Sequence, residues 1–407
     1  MGEVRLPGDK SVSHRALILG SIAEGESRFR GLSTGADVGS TASCMRALGV
    51  EISDSSVRGA GMNGLRKASS ALDCGNSGTT MRLLAGLLSA QPFATELRGD
   101  DSLSRRPMDR VVTPLREMGA AASWPPLLVG GRTPLRGIYY EMPVASAQVK
   151  SALLLAGLFA EGQTSVLEPV ATRNHTEVML MAMGAEIRID GRKVEIRRTA
   201  RLSPLDIDVP GDLSGASFWL VASGLVGGSH LRIRNAGTNP TRTAFLDVLR
   251  ACGFAIAIEG AHSAGGEPVG DLSAGPTSEL RPVTVGGALA AQMIDELPVL
   301  AVAATQLRGT SRISGAAELR VKESDRIATM AEGLAAMGAD ITALEDGWVI
   351  NGPRHLEGAH VESHRDHRVA MALAIAGLLA DGTTEIEDAE CVDISYPGFF
   401  DQLESLC

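Results

Sequence analysis

The sequence predicts an α/β protein of two domains, each assembled from three repeats of about 68 residues. Three observations predict it. An apolar, Ala/Leu-rich helical pattern recurs six times, beginning near Ala16, Met81, Lys150, Ser217, Val299 and Val369. A second, amphipathic pattern recurs between these and closes on Gly49, Gly119, Gly184, Gly253 or Gly338. Finally, Leu6-Pro7-Gly8-Asp9-Lys10-Ser11 is echoed three repeats later by Val209-Pro210-Gly211-Asp212-Leu213-Ser214.

Taken in order, the apolar helices start at intervals of 65, 69, 67, 82 and 70 residues, too regular for chance. The period is too long for a solenoid repeat of roughly 20–50 residues. Most of these helices are followed by a glycine and an alternating, β-favouring stretch, at Gly25-Glu26-Ser27, Gly162-Gln163-Thr164, Gly228-Ser229, Gly309-Thr310 and Gly382-Thr383; the second copy lacks that glycine. The amphipathic helices usually have a strand behind them, as in Met45 to Ile52, Met179 to Ile187 and Met330 to Ile341. A sixth copy, Phe399 to Leu406, runs to the chain end. Pro-Gly pairs punctuate turns, so both echoed segments read as crossings between bodies. The expected domains are 10–209 and 210–407, the latter taking in residues 1–9. Two adjacent crossings make a hinge, and ligands are expected in the cleft between domains.

Composition narrows the class of function. Apolar residues make up 44% and charged residues 21%, which excludes a disordered chain. The net charge is −10, aromatics are 3%, and no basic run stands out, so nucleic acid is not an expected partner. Cys44, Cys74, Cys252, Cys391 and Cys407 are scattered and odd in number, which argues against a disulfide framework or zinc cluster and for a reducing compartment. The longest uncharged apolar runs, such as Val369 to Ala380, fall short of the ~20 residues that span a bilayer. No signal or transit pattern opens the chain, and a cytoplasmic protein is expected.

The residues that carry chemistry gather at helix starts. Gly8-Asp9-Lys10-Ser11 with Arg15 reads either as a phosphate or carboxylate seat or as a capped helix with a solvated lysine. Asp73-Cys74-Gly75-Asn76-Ser77-Gly78-Thr79-Thr80 has the small residues that let backbone amides approach an anion; an ordinary turn is the other reading. Arg105-Arg106-Pro107, in the loop Ser102 to Arg110, suits bidentate binding of carboxylates or a solvated surface. Ser146-Ala147-Gln148 opens another apolar helix, with Arg173-Asn174-His175 later in the same repeat; polyol phosphate recognition and simple capping by Ser146 both fit.

Asp295 and Glu296 precede the apolar helix Val299 to Ala304, where an acid is a dipole partner or, in a low-dielectric cleft, a general base. Glu318 to Arg326 is the densest charged segment, and a helix there would put Lys322 and Arg326 on one face beside Glu323. His360, His364 and His367 have metal-like spacing, but without cysteine and beside Asp366 and Arg368 they fit an anion site or surface loop better. Cations clustered at helix starts in an acidic chain imply a local cleft that concentrates anionic substrates. The chemistry indicated is metal-free and cofactor-free work on two small anions.

In this order the motifs closely resemble the 5-enolpyruvylshikimate-3-phosphate synthase family of enolpyruvyl transferases, from Leu6 to Leu403. The match rests on Gly8-Asp9-Lys10-Ser11 with Arg15, Gly75-Asn76-Ser77-Gly78-Thr79, Arg106-Pro107, Ser146-Ala147-Gln148, Asp295-Glu296-Leu297-Pro298, Arg320 to Arg326 and Asp366-His367-Arg368. The resemblance implies a two-domain inside-out α/β barrel of six βαβαββ units, three per domain, closing on its substrates. It implies that Lys10, Ser11, Arg15, Ser146, Ala147, Gln148, Arg173, Asp295 and Lys322 hold shikimate 3-phosphate. Lys10, Gly78, Arg106, Gln148, Glu323, Arg326 and Arg368 would hold phosphoenolpyruvate. Asp295 would accept the proton of the 5-hydroxyl, and Glu323, with Lys10 or Lys322, would protonate the methylene carbon. A monomer, with no metal and no organic cofactor, is implied.

The chain departs from many relatives at Ile394, where a basic residue is common, at Ala147, often serine, and at Glu318, often asparagine. With Arg173, these resemble the divergent bacterial branch that includes glyphosate-tolerant members. A related transferase that acts on UDP-N-acetylglucosamine usually has a cysteine in the loop matching Ser102 to Arg110 and an asparagine after the first lysine; this sequence has neither. A silent binding paralogue would be expected to have lost one of Asp295, Lys322, Glu323 or Arg326. RNA-end cyclases share a related fold, but no basic, aromatic surface supports RNA.

Overall fold

Six helices lack any polar stripe, and protein covers them over nearly their whole lengths. They are Lys10–Ile22, Gly78–Ser89, Ala147–Gly157, Leu213–Leu225, Leu297–Ala304 and His367–Gly377. These are the six apolar patterns of the sequence. The structure, a computed structural model, describes residues 2–131, 134–277 and 279–406, so Cys407 lies outside the described residues.

Five outer helices, Ala36–Ala47, Asp109–Glu117, His175–Ala182, Ala244–Ala251 and Arg326–Ala336, bury one side only. Each ends on one of the five expected glycines, whose φ angles run from +88° to +103°. Only glycine enters that region without steric cost, so the chain reverses there and strand follows helix. The sixth, Phe399–Leu406, reaches the last described residue.

The strands repeat as regularly. Five four-stranded sheets share one pattern, in which a parallel pair is extended by two antiparallel neighbours. Asp206–Asp208 runs parallel to Glu24–Arg30, which pairs antiparallel with Ser56–Ala60, which pairs with Glu51–Ile52. Leu72–Asp73, Tyr139–Glu141 and Thr284–Val285 begin equivalent sheets. In the fifth, Gly2–Arg5 runs parallel to Leu231–Gly237. The last repeat keeps only two short parallel pairs, Leu356–Glu357 with Ala380–Asp381 and His360–Glu362 with Glu385–Glu387. The mixed α/β architecture is the one expected.

The chain divides into two compact units, Gly8–Val209 with Ser263–Glu267, and Met1–Pro7 with Pro210–His262 and Pro268–Cys407. Each has its own apolar core around three inner helices. In the first unit the inner helices come very close: a Cβ at Gly86 would lie 2.2 Å from the carbonyl oxygen of Ala152. The turn Ser263–Glu267 belongs to this unit although its flanking strands belong to the other. There His175 Nδ1 lies 2.8 Å from Glu267 Oε1, both buried.

A polar chain ties the inner helices Lys10–Ile22 and Gly78–Ser89 to the outer helix Ala36–Ala47 inside the first core. His14 Nδ1 lies 2.7 Å from Thr41 Oγ1, Thr41 lies 2.6 Å from Thr80 Oγ1, and Thr80 donates to Ser77 Oγ at 2.8 Å. Burial first, and then the charges of Lys10 and Arg15, hold the His14 imidazole well below its ordinary value of 6.5. The folded protein therefore keeps His14 neutral where the unfolded chain begins to protonate it. Folding stability should fall as the pH drops below about 6.5, by up to about 1.4 kcal/mol per pH unit until the folded group titrates. Urea unfolding at pH 7.5 and 5.0 should show a smaller pH difference for His14→Gln than for the parent protein.

Candidate active site

The starts of the inner helices carry most of the chemistry. Asp9, Ser77, Ser146, Asp212 and Asp366 cap five of them, each accepting a hydrogen bond from an amide two or three residues on. The cap satisfies one amide, and the helix dipole leaves the end electropositive. Lys10 and Ser11, Gly78, Ala147 and Gln148, and Arg368 lie in the first turn of their helices.

In the Gly8–Val209 unit, Lys10 Nζ pairs with Asp37 Oδ2 at 3.0 Å. The cap of the first helix is Asp9, which accepts from the Val12 amide at 2.9 Å. Gly78 faces two guanidinium groups: a Cβ added there would stand 2.7 Å from Arg82 Nη1 and 3.5 Å from Arg106 Nη1. Arg82 is also committed to Gln148, donating to its Oε1 at 2.6 Å, while Gln148 Nε2 donates to Thr79 Oγ1 at 2.9 Å. Arg106 is buried and donates to Asn76 Oδ1 at 2.6 Å, while Arg105 beside it is exposed. The structure thus brings Gly78, Arg106 and Gln148 together through Arg82. Of the loop expected from Ser102 to Arg110, the first residues form a helical turn, Asp101–Ser104, and the last two begin a helix, Asp109–Glu117.

Arg15 is placed differently from a surface phosphate ligand. It is 3% exposed and donates to Thr176 Oγ1 at 2.6 Å, to Ser151 Oγ at 2.7 Å and to the Ser11 carbonyl at 2.9 Å. Burial lowers its guanidinium to about 10, against the pull of Glu177 and Asp9, so it stays charged at neutral pH. Arg173 lies in the segment leading into His175–Ala182.

In the other unit a second group assembles around Asp295. Its Oδ1 lies 3.5 Å from Arg326 Nη1, 3.7 Å from Lys322 Nζ and 3.9 Å from Arg368 Nε. These contacts are longer than charge-assisted hydrogen bonds of about 2.7–2.9 Å. Its neighbour Glu296 is instead consumed by structure, bonded to Ser214 and 3.2 Å from Arg242 Nη2, at 1% exposure. The two adjacent acids are thereby sorted, with Asp295 facing the cations of the site.

Arg326 is clamped by Asp366, from Nε at 2.8 Å and Nη2 at 3.1 Å, and meets Glu323 Oε2 at 2.5 Å. Burial alone would lower its guanidinium; Asp366, Glu323 and Asp295 together hold it above its ordinary value. Asp366 is likewise disfavoured by burial, yet Arg326 keeps it below the usual carboxylate range.

One expectation needs correction here. Lys322 and Arg326 do not share a helix face, because Ala317–Val321 is a 3₁₀ turn and the helix begins only at Arg326. Asp325 is the cause: its carboxylate accepts from the amides of Ile327 and Ala328, each at 3.1 Å, and so starts the helix after itself. Both cations still reach Asp295. Ile394, in the 3₁₀ turn Ala389–Ile394, packs against the apolar core.

Asp37, Arg82 and Asp366 hold the candidate residues Lys10, Gln148 and Arg326 within their own units, and none of the three is singled out by the sequence as a site residue. Arg82 follows Gly78 by four residues, which puts both on one helix face, a signal available in the sequence. His360 pairs with Glu385 and Glu387, and His364 with Glu332 and Glu362. Among the described residues, no group of three or more His, Cys, Asp or Glu side chains is arranged to hold a metal ion. Burial raises the thiols of Cys252 and Cys391 to about 11, so neither is a ready nucleophile. No helix among the described residues is long and apolar enough to cross a membrane.

The sequence model described as EPSP synthase (3-phosphoshikimate 1-carboxyvinyltransferase) matches residues 1–403. A 3-phosphoshikimate 1-carboxyvinyltransferase from Gloeobacter violaceus is 53% identical, covering 99% of this chain and 95% of its own. One from Desulforudis audaxviator is 49% identical, covering 100% and 96%. The solved structure of an EPSP synthase from Acinetobacter baumannii superposes with a TM-score of 0.89 at 42% identity, covering 100% of this chain and 95% of that one.

Proposed function

Because the chain belongs to the EPSP synthase (3-phosphoshikimate 1-carboxyvinyltransferase) family, we infer that it transfers the enolpyruvyl group of phosphoenolpyruvate to the 5-hydroxyl of shikimate 3-phosphate, releasing phosphate. The observation that carries the reading is Asp295, one carboxylate within 4 Å of Lys322, Arg326 and Arg368. The cations keep this carboxylate ionised and able to accept a proton, and they offset the negative charge of the anionic groups beside the hydroxyl it would deprotonate.

In this reading Lys10, Ser11, Arg15, Ser146, Ala147, Gln148 and Arg173 hold shikimate 3-phosphate, together with Asp295 and Lys322. Lys10, Gly78, Arg106, Gln148, Glu323, Arg326 and Arg368 hold phosphoenolpyruvate. Both sets of residues serve one substrate pair. Glu323, with Lys10 or Lys322, delivers a proton to the methylene carbon, which leaves cationic character at C2. Asp295 takes the hydroxyl proton as the 5-oxygen attacks C2, giving a tetrahedral intermediate that still carries the phosphate. Loss of a methyl proton and expulsion of phosphate restore the enol ether. Water would trap the cation, so the reaction requires a closed, water-excluding site.

The same reading takes the working enzyme to be a monomer. Multiply charged substrates that do not cross a bilayer unaided fit a cytoplasmic enzyme. The test is phosphate release from purified protein given both substrates, with UDP-N-acetylglucosamine as the competing acceptor. Release with the shikimate ester alone is expected. Release only with the nucleotide sugar, or none with either acceptor, would overturn the reading.

A further inference from the structure

Lys150 takes no part in the steps above, yet it is the most deeply buried ammonium associated with these residues. At 1% exposure it lies 2.9 Å from Glu168 Oε2 and 2.7 Å from Glu177 Oε1, both carboxylates equally buried, and 3.4 Å from the carbonyl oxygen of Thr172. Such a trio is costly to desolvate, and apolar side chains of the same volume are often at least as stable. Stability alone gives no reason for it.

What the charges fix is local. Glu168 Oε1 accepts from the Thr172 amide at 3.2 Å and also from the Thr172 hydroxyl, while Lys150 reaches the carbonyl. The backbone donor, the backbone acceptor and the side chain of Thr172 are thus all held by one ion pair. Arg173 is the next residue. The other end of the pair stands on the helix that starts at Ala147, one turn beyond Ser146 and two residues after Gln148. Glu177 extends the same network to Arg15, for which it is the largest opposing charge, and Thr176 and Ser151 bridge the same elements at 2.7 Å.

We propose that Lys150 and Glu168 are positioning residues for the phosphorylated substrate, anchoring the Thr172–Arg173 segment to the rigid helix Ala147–Gly157 so that Arg173 presents its donors in one fixed geometry. The proposal rests on the assignment of Arg173 to shikimate 3-phosphate made above. The pair acts through Thr172 and touches no reacting atom.

Lys150→Met should raise KM for shikimate 3-phosphate roughly tenfold, the scale of one displaced charge-assisted hydrogen bond. Its kcat and its KM for phosphoenolpyruvate should stay within about twofold. In an Arg173→Ala background the same substitution should change KM by less than about twofold, because the group it positions is gone. An equal effect in both backgrounds, or a joint fall in kcat and in affinity for both substrates, would overturn the positioning role. An unchanged KM in Arg173→Ala alone would instead remove the substrate assignment beneath it, and the proposal with it. If Lys150→Met does not fold, Thr172→Val leaves the buried charges intact. It should raise the same KM about threefold, again only where Arg173 is present; no rise would overturn the proposal.

Discussion

Asparagine in place of Asp295 is expected to lower kcat by about 10²–10⁴-fold, the usual worth of a positioned general base. The fold should be little affected. Asp295 is partly exposed and its three cationic contacts are 3.5–3.9 Å long, whereas Arg326 keeps Asp366 and Glu323 as partners. Steady-state phosphate release, with thermal unfolding of the same preparation, checks both halves. A loss in kcat of less than about tenfold would take the base role away from Asp295 and leave Glu323 as the carboxylate to test next. Glu296→Gln should behave in the opposite way, weakening the fold through Ser214 and Arg242.

Arg326→Met is expected to cost about 3–5 kcal/mol of stability, because it leaves the wholly buried Asp366 carboxylate without its guanidinium. The pH dependence should also reverse in sign. In the parent protein Asp366 sits below its unfolded value, so its contribution is present above a pH of about 4 and is lost as the pH falls through the folded value. In the variant, burial without the partner raises the folded value above the unfolded one, and stability should increase as acid protonates the group. Urea unfolding between pH 7 and 4 distinguishes the two slopes. Asp366→Asn added to Arg326→Met should recover part of the loss, since no buried charge then remains.

The inner helices and glycine-closed outer helices are legible in the sequence because burial and backbone geometry impose them directly. A helix covered on all sides must be apolar all round, and a reversal at positive φ selects glycine. The strands are much less legible. Asp206–Asp208 and Thr284–Val285 are two or three residues long, too short to show alternation, and their identity depends on partners far away in the chain. The site was readable in its cations and less so in what holds them. Asp37 and Asp366 look like ordinary caps or first-turn acids in sequence; only the folded chain shows their carboxylates spent on Lys10 and Arg326. The misreading of Lys322 and Arg326 has the same origin, since spacing of four residues means one face only if no cap intervenes, and Asp325 intervenes.

The parallel strands that pair across long stretches of chain bear on the order in which the protein can be made. Arg28 and Asp206 pair across 178 positions, and Glu3 and Arg234 across 231. A ribosome adding about 5–20 residues per second would leave the earlier partner of each pair waiting roughly 10–45 seconds for the later one. Until then the strand Glu24–Arg30 exposes one unpaired edge and Gly2–Arg5 has no sheet to join. The first unit therefore closes this sheet only when its last strand has been made, and the nascent chain carries an open β-edge while the 178 residues between the partners are added, a stretch in which chaperone cover matters.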